Sequence, residues 1–354
     1  MRRIEGEQLP VNDSDMTAIT STAVLPHAAR PARAGSASGV RAGWCVGDEA
    51  IMGTAIHVEL WCDEPRRGQE AVAAVMREMH RIDATMSPYQ PDSELSRVNR
   101  EAAGRAVPVS AEMFGLLQRA QHFSQLSGGA FDVTYAAVGA LFDYRAGRLP
   151  DAAQLERARA AVGFRQLQLD AAQHSVRFAR QGMRIDLGGF AKGHAVDNCI
   201  RLLRQRGIEH AIVSAGGDSH VLGDRVGRPW TVAIRHPRDP ARVVAVLPLQ
   251  DTSISTSGDY ERYFERDGVR HHHLIDPATG RSPTGVHSVT ILASDGLTSE
   301  ALGKCVFVMG LQRGLRLVES LPGVDAVVVD ADGALHFSSG LQHGGDAGAA
   351  AAPQ

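Results

Sequence analysis

No stretch of the chain stays apolar for the roughly 18 positions that a transmembrane helix needs, so no membrane span is expected. Cysteine is scarce. Cys45, Cys62, Cys199 and Cys305 lie far apart, with no CxxC pair and no zinc-finger spacing, so reduced structural thiols in a reducing compartment are the simplest expectation. Aromatic residues make up only 5% of the chain, which argues against a base-stacking surface. The net charge of −3 offers nothing to a polyanion, so nucleic acid is not an expected partner and an anionic cofactor has to be held by local groups. The opening MRRIEGEQLPVNDSD has two arginines but no apolar run after them. A secretory signal is therefore not expected, and the chain reads as cytoplasmic.

What is present suits a soluble globular protein: 44% hydrophobic and 22% charged residues in a chain of 354. Residues 1–43 are rich in Ala, Pro, Ser, Gly and Arg without periodicity and read as a disordered leader, with Met16 as an alternative start. Residues 343–354 read as a low-complexity tail, leaving 44–342 as one domain. Order is expected from about Met52. TAIHVELW alternates as a strand does, and Val72, Val75, Met76, Met79, Ile82 and Met86 mark an amphipathic helix. SPYQPDSELSRVN reads as a polar loop, and a helix is expected from about Ser110 to Leu126. Asp151 with Gln154 predicts a capping box for a short helix ending at Gly163. Strand hairpins and two late helices follow, closing at a hairpin with Asp332-Gly333 in its turn. Strands and helices intermingle without strict alternation, which predicts an α+β fold with mixed, mostly antiparallel sheets and flanking helices.

The stretch GMRIDLGGFAKG, Gly182 to Gly193, carries the most chemistry. Met183 to Leu187 reads as a short buried strand, followed by a Gly-Gly turn and a helix from near Phe190 to Gly207. Free N–H groups and the helix dipole at such a turn favour an anion, with Asp186 before the glycines and Lys192 one turn into the helix. An ordinary strand–helix corner packed through glycine is the alternative. His271 and His273 can share a face of a strand, and one of them suits a general base better than a metal. STSGDY reads as a polar turn or a phosphate-binding edge. Asp132, Asp186 and Glu300 are candidate oxygen ligands for a hard cation, although a helix-face carboxylate such as Glu300 is usually solvated.

In order along the chain, MGT, SPYQPDSELSRVN, GAFDVT, RIDLGGFAKGHAVD, VSAGGDSHVLG, STSGDY, HHHLIDPATGRSP and SEALGKCVFVMG resemble the motifs of the ApbE-type FAD:protein FMN transferases. The resemblance spans about Met52 to Gly310 and, more weakly, the closing hairpin. It implies transfer of FMN from FAD to a threonine or serine hydroxyl of a target flavoprotein, with release of AMP and with Mg²⁺. By that resemblance the flavin and nucleotide contacts fall on Met52, Tyr89, Ala130, Phe131, Asp132, Asp186 and Lys192. The base falls on His273, and Mg²⁺ on the backbone oxygen of Gly189 and on Glu300. One departure stands out: where the family has an Asp and, four residues later, a Thr, this chain has Glu300 and Lys304. Lysine has no lone pair to offer a metal while charged. Either the site uses fewer protein ligands and more water, or Lys304 replaces part of the metal's charge beside the pyrophosphate, and Glu300 and Lys304 can also form a simple ion pair on one helix face. FAD hydrolysis to FMN and AMP, and flavin binding without catalysis, are the alternative readings of the same site.

Overall fold

The structure, a computed structural model, describes residues 42–343 and the strand Thr22–Val24. The rest of the expected leader and tail lies outside the described residues. In chain order the strands are β1 (Thr22–Val24), β2 (Gly43–Ile51), β3 (Thr54–Cys62), β4 (Val107–Pro108), β5 (Leu167–Asp170), β6 (Ser175–Phe178), β7 (Ala211–Ala215), β8 (Asp218–Leu222), β9 (Trp230–His236), β10 (Asp239–Leu249), β11 (Thr252–Gly258), β12 (Tyr263–Arg266), β13 (Val269–His272), β14 (Val286–Ala293), β15 (Asp325–Asp330) and β16 (Leu335–Phe337). The helices are α1 (Pro65–Met86), α2 (Glu94–Glu101), α3 (Ala111–Leu126), α4 (Ala136–Gly139), α5 (Ala152–Arg159), α6 (Ala191–Gln205), α7 (Gly296–Met309), α8 (Leu311–Glu319) and α9 (Ser339–His343).

An eight-stranded sheet in the order β16-β15-β14-β11-β8-β7-β3-β2 forms the frame. The pairings within it are antiparallel. Helices α1, α6, α7 and α8 pack on one face. The small sheet β1-β9-β10 covers the other, where Trp230, Val232 and Ile234 meet Ile212, Val221, Ile254, Leu292 and Val327. Because both faces are covered, the central strands β7 and β8 are buried at every position. The chain is thus α+β, built on antiparallel sheets with flanking helices.

Side-chain period decides what reaches the helical face. Along β8, Asp218 and His220 share that face, and along β11 Ser253, Ser255 and Ser257 do. A polar seam therefore runs under α7 in an otherwise apolar interior. STSGDY is accordingly strand through Gly258, and only Asp259 and Tyr260 form a turn. Its hydroxyl residues Ser255, Thr256 and Ser257 are buried in β11.

Three local expectations differ from the structure. The polar loop after α1 contains helix α2, started by Ser93, whose Oγ accepts from the Ser96 N–H at 3.0 Å, and anchored by buried Leu95 and Val98. Order begins earlier than Met52, at Gly43. Strand β2 is an edge strand that buries little besides Cys45 and Ile51, so it shows no alternation. Residues 183–187 are extended, with Met183, Ile185 and Leu187 buried, but they join no sheet. The side chain of Asn99 takes the place of a neighbouring strand. Its Nδ2 donates to the Ile185 carbonyl at 2.9 Å, and its Oδ1 accepts from the Ile185 N–H at 2.8 Å. The expected capping box is present, with Asp151 and Gln154 exchanging hydrogen bonds at 2.7 and 2.9 Å, although α5 ends at Arg159.

Candidate active site

The site forms where α6 and α7 cross above the polar seam. Their crossing is close because it is glycine against glycine. A Cβ on Gly193 would overlap the Gly296 carbonyl, and one on Gly296 would lie 2.7 Å from the Gly193 carbonyl oxygen. Asp197 on α6 fixes the start of α7 by accepting from the Gly296 and Leu297 N–H groups at 2.6 and 2.9 Å. Burial lifts its carboxyl to about 6 despite those two donors. The two helices thereby hold Lys192, Glu300 and Lys304 in one place.

Lys192 is the hub. Its Nζ lies 2.6 Å from Asp218 Oδ2 and is also paired with Glu300 Oε1. Burial works against the ammonium, but the two carboxylates win and hold its pKa above the ordinary lysine value. Glu300 is fully buried, not solvated, and its Oε2 accepts from the Gly193 N–H at 2.8 Å. Asp218 is engaged by Ser255 Oγ on its other oxygen. Burial opposes its charge as well, and Lys192 and Lys304 more than compensate, lowering its pKa. Lys304 lies one turn beyond Glu300, with its Nζ 3.6 Å from Oε1. Its stem runs beside the Gly-Gly turn, 3.8 Å from where a Cβ on Gly189 would sit. Burial and then Lys192 lower its pKa against the pull of Glu300.

His273 sits beside these cations. Burial, then Lys304, His272, Arg262 and Lys192, push its imidazole down to about 3, so it is neutral near pH 7. Its Nδ1 is buried without a hydrogen-bond partner among the described residues. Its backbone N–H donates to the Arg262 carbonyl at 3.0 Å, and Arg262 reaches the Gly53 carbonyl at 3.4 Å. That contact ties the Met52–Gly53 turn to the site. Both turn residues have positive φ, 55° and 68°, as the twist of a two-residue hairpin requires, although methionine adopts that region rarely. Of the other histidines, His272 is buried and its Nε2 donates to the Pro283 carbonyl at 2.9 Å, whereas His271 stacks on Phe264.

Asp186 precedes the Gly-Gly turn and accepts from the Gly188 N–H at 2.6 Å. Burial raises its pKa despite that bond and the nearby Arg262, Arg184 and Lys192. Its charge, and then burial, drive the Tyr135 hydroxyl well above its usual value, which places Tyr135 in the same cluster. Phe131 lies under the turn, edge-on to Phe190 and 3.4 Å from the Gly189 Cβ position. Asp132 is used within the fold. One oxygen accepts from Thr134 N and Oγ1, the other from the Phe164 N–H at 2.7 Å. Ala130 is half-buried beside it, and Tyr89 is 85% exposed on the loop before α2. Asp186, Gly189, Lys192, His273 and Glu300 therefore come together. Asp218, Arg262 and Tyr135 join them without having been singled out from the sequence. Asp218 carried a signal, since it follows Gly216-Gly217 in VSAGGDSHVLG.

The donor set does not fit the Mg²⁺ expected at Gly189 and Glu300. Both oxygens of Glu300 and both of Asp218 are engaged by Lys192, Gly193 N–H and Ser255. The described residues hold no group of three or more His, Cys, Asp or Glu able to chelate an ion. A divalent ion about 4 Å from the Lys304 ammonium would be repelled by roughly 8 kcal/mol at an effective dielectric of about 20. What the arrangement can hold is an anion, over the turn and beside two ammonium groups, with a neutral imidazole next to it.

A sequence model of the ApbE family matches residues 52–328. An FAD:protein FMN transferase of Treponema pallidum (strain Nichols) is 35% identical over 312 residues, covering 83% of this chain and 86% of that protein. Another from Vibrio cholerae serotype O1 is 34% identical over 272 residues, covering 74% and 80%. Among solved structures, the ApbE protein of Thermotoga maritima superposes with a TM-score of 0.79 at 31% identity, over 85% of this chain and 98% of that one. The flavin transferase ApbE from Vibrio cholerae gives 0.76 at 29% identity, over 85% and 99%.

Proposed function

The chain belongs to the ApbE family, and from that premise we propose that it is an FAD:protein FMN transferase acting on a threonine or serine hydroxyl of a target flavoprotein. The observation that carries the assignment of roles is the neutral imidazole of His273, with an unpaired ring nitrogen, set beside Lys192 and Lys304. The FAD pyrophosphate lies over Gly188–Gly189 at the start of α6, where the helix dipole and the nearby Lys192 and Lys304 ammonium groups favour negative charge. The acceptor oxygen attacks the phosphorus of the FMN half, and His273 takes the hydroxyl proton. The bond from that phosphorus to the bridging oxygen breaks, and AMP departs with the bridging oxygen and its electron pair. FMN remains on the acceptor as a phosphodiester. The ammonium groups stabilise the charge that builds on the phosphoryl oxygens. No step here passes through a divalent cation.

Asp186 and Phe131 flank the turn and shape the flavin side. Tyr89, on its exposed loop, stacks on the flavin or the adenine. Tyr89→Ala is expected to weaken FAD binding about tenfold, the lower part of the range for one stacking partner. Its 85% exposure predicts no change in melting temperature. Equal FAD affinity in titration calorimetry would take Tyr89 out of the site.

Incubating the protein with FAD and an acceptor domain, followed by mass spectrometry, tests the reading. An FMN-sized addition to the acceptor with release of AMP is expected. AMP and free FMN without an adduct would instead make the protein a hydrolase, with water as the acceptor.

A further inference from the structure

We infer that the Lys304 ammonium serves as the cation at the FAD pyrophosphate, and that this chain binds FAD and transfers FMN without a divalent metal. The inference rests on the transferase reading for its second half only. Four charged groups meet beneath the Gly-Gly turn, two ammoniums and two carboxylates. They are not equivalent. Lys192 is committed to both carboxylates, at 2.6 Å from Asp218 and in direct contact with Glu300. Lys304 stands off at 3.6 Å from Glu300, beyond hydrogen-bond reach, so its N–H donors are not consumed there. Its stem flanks Gly189, and its charge is felt at His273, the two groups between which a reacting phosphoryl would sit.

The carboxylates that could have chelated an ion are instead saturated. Lys192 neutralises both, Gly193 N–H and Ser255 take the remaining oxygens, and Glu300 has no exposed surface. Freeing one for a metal would strip the buried Lys192 ammonium of one of its two carboxylate partners. An ammonium on a fixed helix gives phosphoryl oxygens a localised positive charge, as a metal would, and it needs no ligands of its own. The acidic pair then has a positioning role: it holds Lys192 fixed and keeps the site from carrying two uncompensated cations before FAD arrives.

The test uses FAD and riboflavin as paired probes, since riboflavin lacks the pyrophosphate. Chelator-treated protein is titrated with each, with and without excess Mg²⁺, and compared with Lys304→Met and Lys304→Arg. Expected for the native chain is an FAD Kd that changes less than about threefold on adding Mg²⁺. Lys304→Met should weaken FAD binding by roughly tenfold or more, leave riboflavin binding unchanged, and be rescued in large part by Lys304→Arg. A merely structural role for Lys304 would shift both probes together and overturn the inference. So would Mg²⁺ tightening FAD binding to the native chain by about tenfold. In the transfer assay, adduct formation that survives chelator supports the inference, and transfer abolished by chelator and restored by Mg²⁺ overturns it. Metal-independent FAD binding with no adduct on any acceptor would sink the transferase reading while leaving Lys304 at the pyrophosphate.

Discussion

His273→Ala is expected to lower FMN transfer by about 10²–10⁴-fold, the usual contribution of a positioned general base, with FAD still bound. In the proposed mechanism the imidazole takes the acceptor's proton and is not among the groups that hold the anion. Its depressed pKa sets the sign of the pH dependence. In the free enzyme the base form exists at every pH above about 3. kcat/KM, which reports free-enzyme ionisations, should therefore stay flat as pH falls through about 6.5, where an ordinary imidazole loses half its base form. A fall centred near 6.5, or full activity in the alanine variant, would remove His273 from this role. Stability carries a matching signature. The unfolded chain binds the proton first, so His273 makes the fold less stable as pH drops from about 6.5 toward its folded pKa, and the alanine variant loses that part of the acid sensitivity.

Gly193→Ala is expected to destabilise the fold by about 2 kcal/mol. Alanine in a helix interior is favoured over glycine by roughly 1 kcal/mol, but the new Cβ overlaps the Gly296 carbonyl and comes within 2.8 Å of the Leu297 nitrogen. Both are backbone atoms at the start of α7, so neither can swing aside, and overpacking costs of about 1–3 kcal/mol or more outweigh the propensity gain. The melting temperature should fall by roughly 3 °C. Because α7 carries Glu300 and Lys304, the surviving folded protein should also transfer FMN about tenfold or more slowly, since small misplacements of charged groups are expensive at the reacting centre. An unchanged melting temperature would mean that the helices can part at no cost.

Wherever one periodicity met one environment, the structure was legible in the sequence. Ile56, Val58 and Leu60 alternate because β3 has a single core face, and Ser110 and Asp151 cap the helices expected of them. The misses share a cause. Segment 183–187 has the alternation of a strand, but its partner is the Asn99 side chain, 86 residues away, which no local pattern reveals. Helix α2 hides in a proline-containing polar loop because only Leu95 and Val98 anchor it. The hydroxyls of β11 look like turn residues until α7 is seen packed over them. At the candidate site, motif context singled out Asp186, Lys192 and His273, which the structure brings near one another. Asp218 was not singled out, because its meaning lies in Lys192 and Ser255, both distant in sequence. Glu300 and Lys304 form the expected pair, yet the closer partner of Glu300 is Lys192.

Two amide-to-backbone bonds from Asn99, with one backbone bond from Asp186 N–H to Val133 carbonyl, hold the strand-like segment that leads into the glycine turn. Such a segment can open without breaking a sheet ladder, at the cost of lifting Met183, Ile185 and Leu187 from the core, so its opening is set apart from that of the sheet. In native-state hydrogen exchange the Ile185 and Asp186 amides should therefore lose their protons long before those of β7 or β8. FAD seated on the turn should slow them selectively. On the proposed site, that exchange pattern would make the strip leading into the glycine turn a separate cooperative unit, stilled by its ligand while the scaffold beneath is unchanged.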